Sequence, residues 1–367
     1  MKDAPASCEL WEQIQIKYLL ETNNMNYIFK LHILGILIVA LSSNLPASSI
    51  KSDEVVVFFP TIGYPIENEM WRLNVHGWIY EPEWGGSVFQ PIRELFGLEK
   101  TEKNSLFVER TKAFFVDNES GKRINIRLGK KIIALKNKSA RNGHFFDSLN
   151  LLASEVKTLR TDNFISFEAV TRSNDKRHFS GKIHLIDNKG VSIISDIDDT
   201  IKISEVLDKS ALLKNTFIHP FRAVPNMAKF YHSLGEDISL HYVSASPWQL
   251  YQPLANFFTK NNFPAGSFHL RLFRWKDSSF FEFFKSSQHH KIKNIKALLK
   301  SCPQRRFILI GDSGEHDPEI YANIARQYPR QVSHIFIRNV TENTNYHKIF
   351  QGLPKSLWTV FKKPPKF

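Results

Sequence analysis

Cysteine is nearly absent from this chain of 367 residues, with Cys8 and Cys302 as its whole complement. Neither lies in a CxxC pair, which argues against a cysteine-built zinc site or a disulfide framework. Long apolar runs are missing too. The run from Ile33 to Leu41 falls short of the roughly 20 residues a membrane-spanning helix needs. No internal repeat, low-complexity tract or DNA- or RNA-binding motif stands out, so a nucleic-acid partner is not expected. Acidic residues are in deficit, 36 Asp and Glu against 49 Lys and Arg, for a formal net charge of +13. That sign suits an anionic contact such as a phospholipid surface or a phosphorylated substrate, without choosing between them.

What is present is enough for globular cores: 42% hydrophobic residues, with aromatics at 13%. The length suggests two domains with short extensions. From Met25 the chain reads "MNYIFKLHILGILIVALSSNLPASS", one Lys, an apolar run, then small residues around Ala47 and Ser49. That is the order of a secretory signal peptide. Residues 25–49 are therefore expected to direct export to a periplasm or to the exterior, with an uncleaved N-terminal anchor as the alternative, and residues 1–24 to be an upstream extension. Cleavage would leave Cys302 as a lone thiol.

Residues 50–188 read mainly as strands. "WRLNVHGWIY" alternates, with Trp71, Leu73, Val75, Gly77 and Ile79 on one face, and "KRINIRL", "FISFEAV" and "GKIHLI" behave likewise. The segments "VFQPIRELFGL" and "SLFVERTKAFF" interrupt as helices, giving a β-sandwich-like domain with a helical insertion. After Lys189 the period changes. Short apolar strands ("VSIISD", "ISLHYVS", "FHLRLF", "RFILIG", "VSHIFI") alternate with amphipathic helices, the pattern of a parallel α/β sheet covered on both faces, here over 189–345. Residues 346–367, with Trp358, Phe361 and several lysines, read as a basic aromatic tail. Ligands of such sheets bind beyond the carboxyl ends of the strands, so the residues just after each strand matter most.

Those positions hold chemistry. The first strand runs into Asp196, Asp198, Asp199 and Thr200; the second ends at Ser244 and Ser246; Lys291 opens a helix; the fourth runs into Asp312, Glu315 and Asp317. Clustered carboxylates repel unless a cation or donors compensate. Acids from adjacent strands can hold Mg2+, which prefers oxygen ligands. One carboxylate can accept a phosphoryl group, a second can move protons, and a hydroxyl and an ammonium can neutralise phosphoryl oxygens. Together they form a kit for phosphoryl transfer. Asp199 reads as a turn residue, and Glu315 and His316 as helix-start residues. His289 and His290 read as surface histidines, and Lys291, which opens the helix before "RFILIG", competes with Lys285 and Lys293.

"DIDDT" resembles the DxDxT signature of the haloacid-dehalogenase-like phosphatases, and the hydroxyl, the lysine and "GDSGEHD" follow in that superfamily's order. More narrowly, "SDIDDTIK", "YVSASPWQLY" and "LIGDSGEHDPEIY" look like the actin-patch-type phosphatidate phosphatase family. "FFPTIGYP" and "WRLNVHGWIYEPE" are similar to the β-rich region that precedes its Rossmann-like catalytic domain. The resemblance implies Mg2+-dependent hydrolysis of phosphatidate to diacylglycerol and phosphate. Asp196 would be nucleophile and metal ligand, and Asp198 general acid/base, with its carbonyl on the metal. Ser244 and Lys291 would hold the phosphoryl group, Asp312 and Asp317 would complete or support the metal shell, and Thr200 would orient the loop.

Phe280, Phe281, Phe283 and Phe284 beside Arg274, Trp275, Lys276 and Lys285 suit acyl chains at an anionic membrane surface or a core edge equally. Trp84 in "EPEWGGS" suits a ligand contact or packing on its own domain. A phosphatase for a soluble or protein-bound phosphomonoester stands as the alternative, and so does a phosphatidate-binding module without turnover.

Overall fold

A computed structural model of the protein describes residues 50–82, 105–235, 237–273, 288–341 and 345–365. The signal-peptide segment, Trp84, the helix expected from "VFQPIRELFGL" and the aromatic–basic stretch around Phe280 lie outside the described residues.

The first half is β-rich. Its strands are β1 (Val55–Phe59), β2 (Thr61–Ile66), β3 (Met70–Pro82), β4 (Val116–Asn118), β5 (Asn125–Leu128), β6 (Lys131–Ala134), β7 (His144–Leu152), β8 (Phe164–Ala169) and β9 (Ser180–Leu185). Helices α1 (Ser105–Thr111) and α2 (Ala153–Leu159) interrupt them. The region expected as sandwich-like joins these strands in one hydrogen-bonded sheet, in the order β1-β3-β2-β9-β8-β5-β6, with β4 and β7 also on β3. The alternation in β3 is real: Trp71, Leu73, Val75 and Ile79 enter one core with Phe145 and Phe167. Its opposite face is buried as well at His76 and Trp78.

The second half is mixed α/β around a parallel sheet. Strands β10 (Val191–Ser195), β11 (Ser239–Pro247), β12 (Gly266–Arg271), β13 (Arg306–Asp312), β14 (Val332–Arg338) and β15 (Trp358–Phe361) lie in the order β12-β11-β10-β13-β14-β15. All of its pairings are parallel. Helices α3 (Lys209–Phe217), α4 (Met227–Ser233), α5 (Tyr251–Lys260), α6 (Gln288–Ser301), α7 (Asp317–Gln327) and α8 (Tyr346–Ile349) accompany it. The chain leaves β10 towards β11 and returns on the other side at β13. The strand order thus reverses at β10, and the carboxyl ends of β10 and β13 form the switch point beyond which ligands of such sheets bind. Among the described residues, no helix is long and apolar enough to cross a membrane.

The two sheets follow one another along the chain, since β9 ends at Leu185 and β10 starts at Val191. Yet Ser48–Phe367 forms one compact unit. Aromatic packing explains it: Phe59, Trp78 and Phe114 share a core with Tyr242, Trp248 and Phe268. Phe59 and Trp248 have ring centroids 4.2 Å apart, and the Phe268 amide donates to the Pro60 carbonyl at 3.1 Å. Cys302 is buried, which pushes its thiol up to about 11 and makes it unreactive at neutral pH.

The C-terminal segment is a correction. The supposed basic aromatic tail supplies α8 and the edge strand β15, in parallel register with β14 from Ile335–Trp358 to Arg338–Phe361. Trp358 is buried, stacked on Phe350 at 4.7 Å, with the Lys355 ammonium 3.2 Å from its ring centroid. Short chain distance to the terminus hid a strand whose stability comes from its neighbour. Trp358→Ala should therefore lower unfolding free energy by about 3–5 kcal/mol, the usual cost of emptying a buried aromatic site. Urea titration followed by circular dichroism would measure it; a loss within the error of surface substitutions would return this segment to the status of a tail.

Candidate active site

The parallel ladder continues one residue past β10, where the Asp196 amide donates to the Ile310 carbonyl at 2.9 Å. Ser195 pairs with Ile310, so Asp196 and the end of β13 emerge side by side. Asp312 closes β13, and α7 begins at Asp317. Asp196, Asp312 and Asp317 are all buried, and each offers a carboxylate oxygen within 4.8 Å of the others. Gly311 permits the approach: a Cβ there would sit 2.3 Å from Asp317 Oδ2.

Among the described residues, a single cation stands between them. Lys291, 1% exposed, reaches in from α6 with its ammonium 2.9 Å from Asp196 Oδ1, 2.7 Å from Asp317 Oδ1 and 2.7 Å from Glu315 Oε2. The Thr200 hydroxyl lies 3.3 Å from both Asp196 Oδ2 and Asp312 Oδ2. Asp317 Oδ2 accepts the Asp312 amide at 3.3 Å, and Asp312 Oδ1 accepts the Gly314 amide at 2.6 Å. Burial pushes Asp196 well above the usual carboxylate range against the pull of Lys291, and the neighbouring carboxylates push the same way. Asp312 is raised by burial and by Asp317. Lys291 stays charged: burial works against it, but the charges of Asp196, Asp317 and Glu315 outweigh that cost. Four acids around one ammonium leave an excess of negative charge, which protons or a second cation must relieve.

Asp198 faces a different set. Its Oδ1 is 2.8 Å from the Lys202 ammonium and accepts from the Ser204 hydroxyl at 2.7 Å. Its Oδ2 accepts from Ser244 at 3.1 Å and Ser246 at 2.8 Å. Burial opposes ionisation, but Lys202 and these hydroxyls win and hold the carboxyl at about 2. Ser244 therefore touches Asp198, and its hydroxyl also accepts the Ser246 amide at 2.9 Å.

All seven expected residues (Asp196, Asp198, Thr200, Ser244, Lys291, Asp312 and Asp317) thus gather at the carboxyl ends of β10, β11 and β13. Lys293 on the same helix is exposed, which supports the choice of Lys291. His290 bonds the His269 carbonyl at 3.2 Å, away from the acids. Asp199 is a turn residue: it has φ 54°, and its carboxylate accepts the amides of Ser204, Glu205 and Val206. Glu315, expected in the loop after the fourth strand with helix-start bonding as an equal reading, is the third acid on Lys291. Lys202 and Ser204 carried no sequence signal, because alternation in "TIKIS" would turn a lysine to solvent.

Residues 191–339 match the family described as phosphatidate phosphatase APP1, catalytic domain. The chain is 39% identical over 155 residues to the Saccharomyces cerevisiae protein named Phosphatidate phosphatase APP1, covering 41% of this chain and 26% of that one. It is 33% identical over 189 residues to an uncharacterized Schizosaccharomyces pombe protein, covering 49% of this chain and 31% of that one. The chain thus spans between a quarter and a third of the length of these curated relatives. A solved carbohydrate esterase structure aligns over 77% of this chain and 88% of its own at 10% identity, with a TM-score of 0.21 that carries no argument.

Proposed function

We propose, from the premise that residues 191–339 belong to the actin-patch-type phosphatidate phosphatase family, that this chain is a Mg2+-dependent phosphatidate phosphatase. The catalytic part is read as a haloacid-dehalogenase-like, Rossmann-like domain. The observation that carries the proposal is the convergence of Asp196, Asp312 and Asp317 around Lys291 at the ends of two adjacent parallel strands.

The donor set fits a hard divalent cation: the candidate ligands are carboxylate oxygens, and their negative charge exceeds what Lys291 cancels. Asp196 and Asp312 would hold Mg2+ with the Asp198 carbonyl, and Asp317, already engaged by Lys291, would support them. When bound, the ion would offset the charge of the acids and of the substrate phosphate.

The chain's own groups then divide the work. Lys291 draws Asp196 towards ionisation against its burial. The ionised carboxylate would attack phosphorus and take the phosphoryl group as an aspartyl-phosphate while the bond to the glycerol oxygen breaks. Asp198 is ionised in this structure, so it would first take up a proton at Oδ2 as Ser244 turns away. It would pass that proton to the departing glycerol oxygen as the P–O bond breaks, and then draw one from the water that hydrolyses the aspartyl-phosphate. Ser244 and Lys291 hold phosphoryl oxygens. Ser244 has one proton, given to Asp198 in this structure, so its hydroxyl must turn as substrate enters.

The proposed substrate is phosphatidate presented at an anionic membrane surface, in keeping with the net charge of +13 and the name of the yeast relative. We propose export on the order of residues 25–49; N-terminal sequencing of the secreted or periplasmic protein should find a start after that segment. The functional test is phosphate release from phosphatidate vesicles with Mg2+ and with EDTA. Release that needs Mg2+ is expected. Preference for a water-soluble phosphomonoester would change the substrate, and lipid binding without turnover would make the chain a phosphatidate-binding module.

A further inference from the structure

The Asp198 carboxylate has four hydrogen-bonding partners, two on each oxygen, which fills the acceptor positions of a carboxylate. A group that must exchange protons with a substrate needs one oxygen free. The two sides differ in how firmly they are held. On Oδ2 the partners are the hydroxyls of Ser244 and Ser246, which turn about one bond. On Oδ1 they are Lys202 and Ser204, which also bond to each other.

Backbone contacts fix the Oδ1 side. The Lys202 amide donates to the Ile197 carbonyl at 2.9 Å, and the Lys202 carbonyl accepts the Asp199 amide at 2.7 Å. Residues 201–203 pair with the strap at 222–224 through Ile203 to Arg222 and Val224 to Ile201, each at 2.8 Å. The Lys202 ammonium, on a residue 2% exposed, lies 5.0 Å from the Phe221 ring centroid. The Arg110 guanidinium lies 3.7 Å from the same centroid, and Arg110 donates to the carbonyls of Thr216 at 2.8 Å and His219 at 2.7 Å. Arg110 belongs to α1, outside the segment that matches the catalytic domain.

We infer that Lys202, with Ser204, is a positioning residue that anchors Asp198 through Oδ1 and leaves Oδ2 as the oxygen that exchanges protons with substrate. The inference rests on the phosphatase reading above. When Ser244 turns towards a phosphoryl oxygen, Oδ2 loses a donor while Oδ1 keeps both of its own. The carboxylate is then freed on one side without swinging away. Arg110 braces the strap beside Lys202, which gives the β-rich region a part in a site whose other residues lie after Lys189.

The test is steady-state kinetics on dioctanoyl phosphatidate in mixed micelles with Mg2+. Lys202→Met should lower kcat by roughly 100-fold with little change in KM, because the interaction serves the proton-transfer step. Lys202→Arg should recover about a tenth or more of wild-type kcat, since it restores the charge and a donor. In an Asp198→Asn background, Lys202→Met should cause no further loss, because the anchored group is already gone. Losses that multiply in the double variant, or a change confined to KM, would overturn the inference. Should Lys202→Met fail to fold, Ser204→Ala removes one Oδ1 donor and keeps the ion pair. It should lower kcat by about 10-fold alone and not at all beside Asp198→Asn; independent losses there overturn the inference equally. An inactive wild-type protein would remove the phosphatase reading and this inference with it, whereas an active one with multiplying losses removes this inference alone.

Discussion

Asp196→Asn should abolish phosphate release from phosphatidate, by roughly 10⁴-fold or more, the scale on which loss of a nucleophile is felt. The substitution keeps the size of the side chain and removes the charge, so packing around β10 is preserved. Its effect on stability should be small or favourable. In the metal-free protein it deletes one of four acids around Lys291, and Asp196 is held above the usual carboxylate range chiefly by burial, then by its acidic neighbours. Loss of turnover without loss of melting temperature is thus the expected pair of results. Wild-type activity in the variant would show that the phosphoryl group is never transferred to this residue.

The second large effect is on the fold. Lys291→Met should destabilise the metal-free protein at neutral pH by about 3–5 kcal/mol, because it leaves buried carboxylates without their counter-charge. The loss should shrink at low pH. Carboxylates whose folded pKa lies above the unfolded value bind more protons when folded, so their contribution is fully present below the unfolded pKa and is lost as pH rises through the folded one. Asp196, Asp312 and Asp317 are raised in that sense already, by burial first, and removal of the ammonium raises them further. Denaturant titrations of wild type and variant at pH 5 and pH 7.5 would show the gap narrowing in acid. A gap that is constant with pH would mean that Lys291 acts by packing and not by charge.

Much of the site was legible because its residues sit where the chain has few choices. A run such as "VSIISD" must be buried on both faces, so the first polar residue after it falls at the strand end, and Asp196 and Asp312 follow by the same rule from β10 and β13. Order along the chain could not show how the side chains divide into two sets. Asp198 turns to Lys202 and the serines while Asp196 and Asp312 surround Lys291, a separation set by tertiary packing. Lys202 was hidden for a similar reason. Its burial depends on the strap at 222–224 and on Phe221, about twenty residues later in the chain. The edge strand β15 escaped notice because a four-residue strand has too short a pattern to stand out, and its register comes wholly from β14.

The claim on which the rest depends is that acids from β10 and β13 share one divalent cation. Mn2+ titration followed by electron paramagnetic resonance, with Mn2+ standing in for Mg2+, tests it most directly. Wild-type protein should bind one ion. Asp312→Asn should weaken binding by roughly 10-fold or more, since even outer-shell partners of a metal site contribute on that scale. Equal affinity in the two proteins, or no saturable binding to wild type at millimolar Mn2+, would contradict the account.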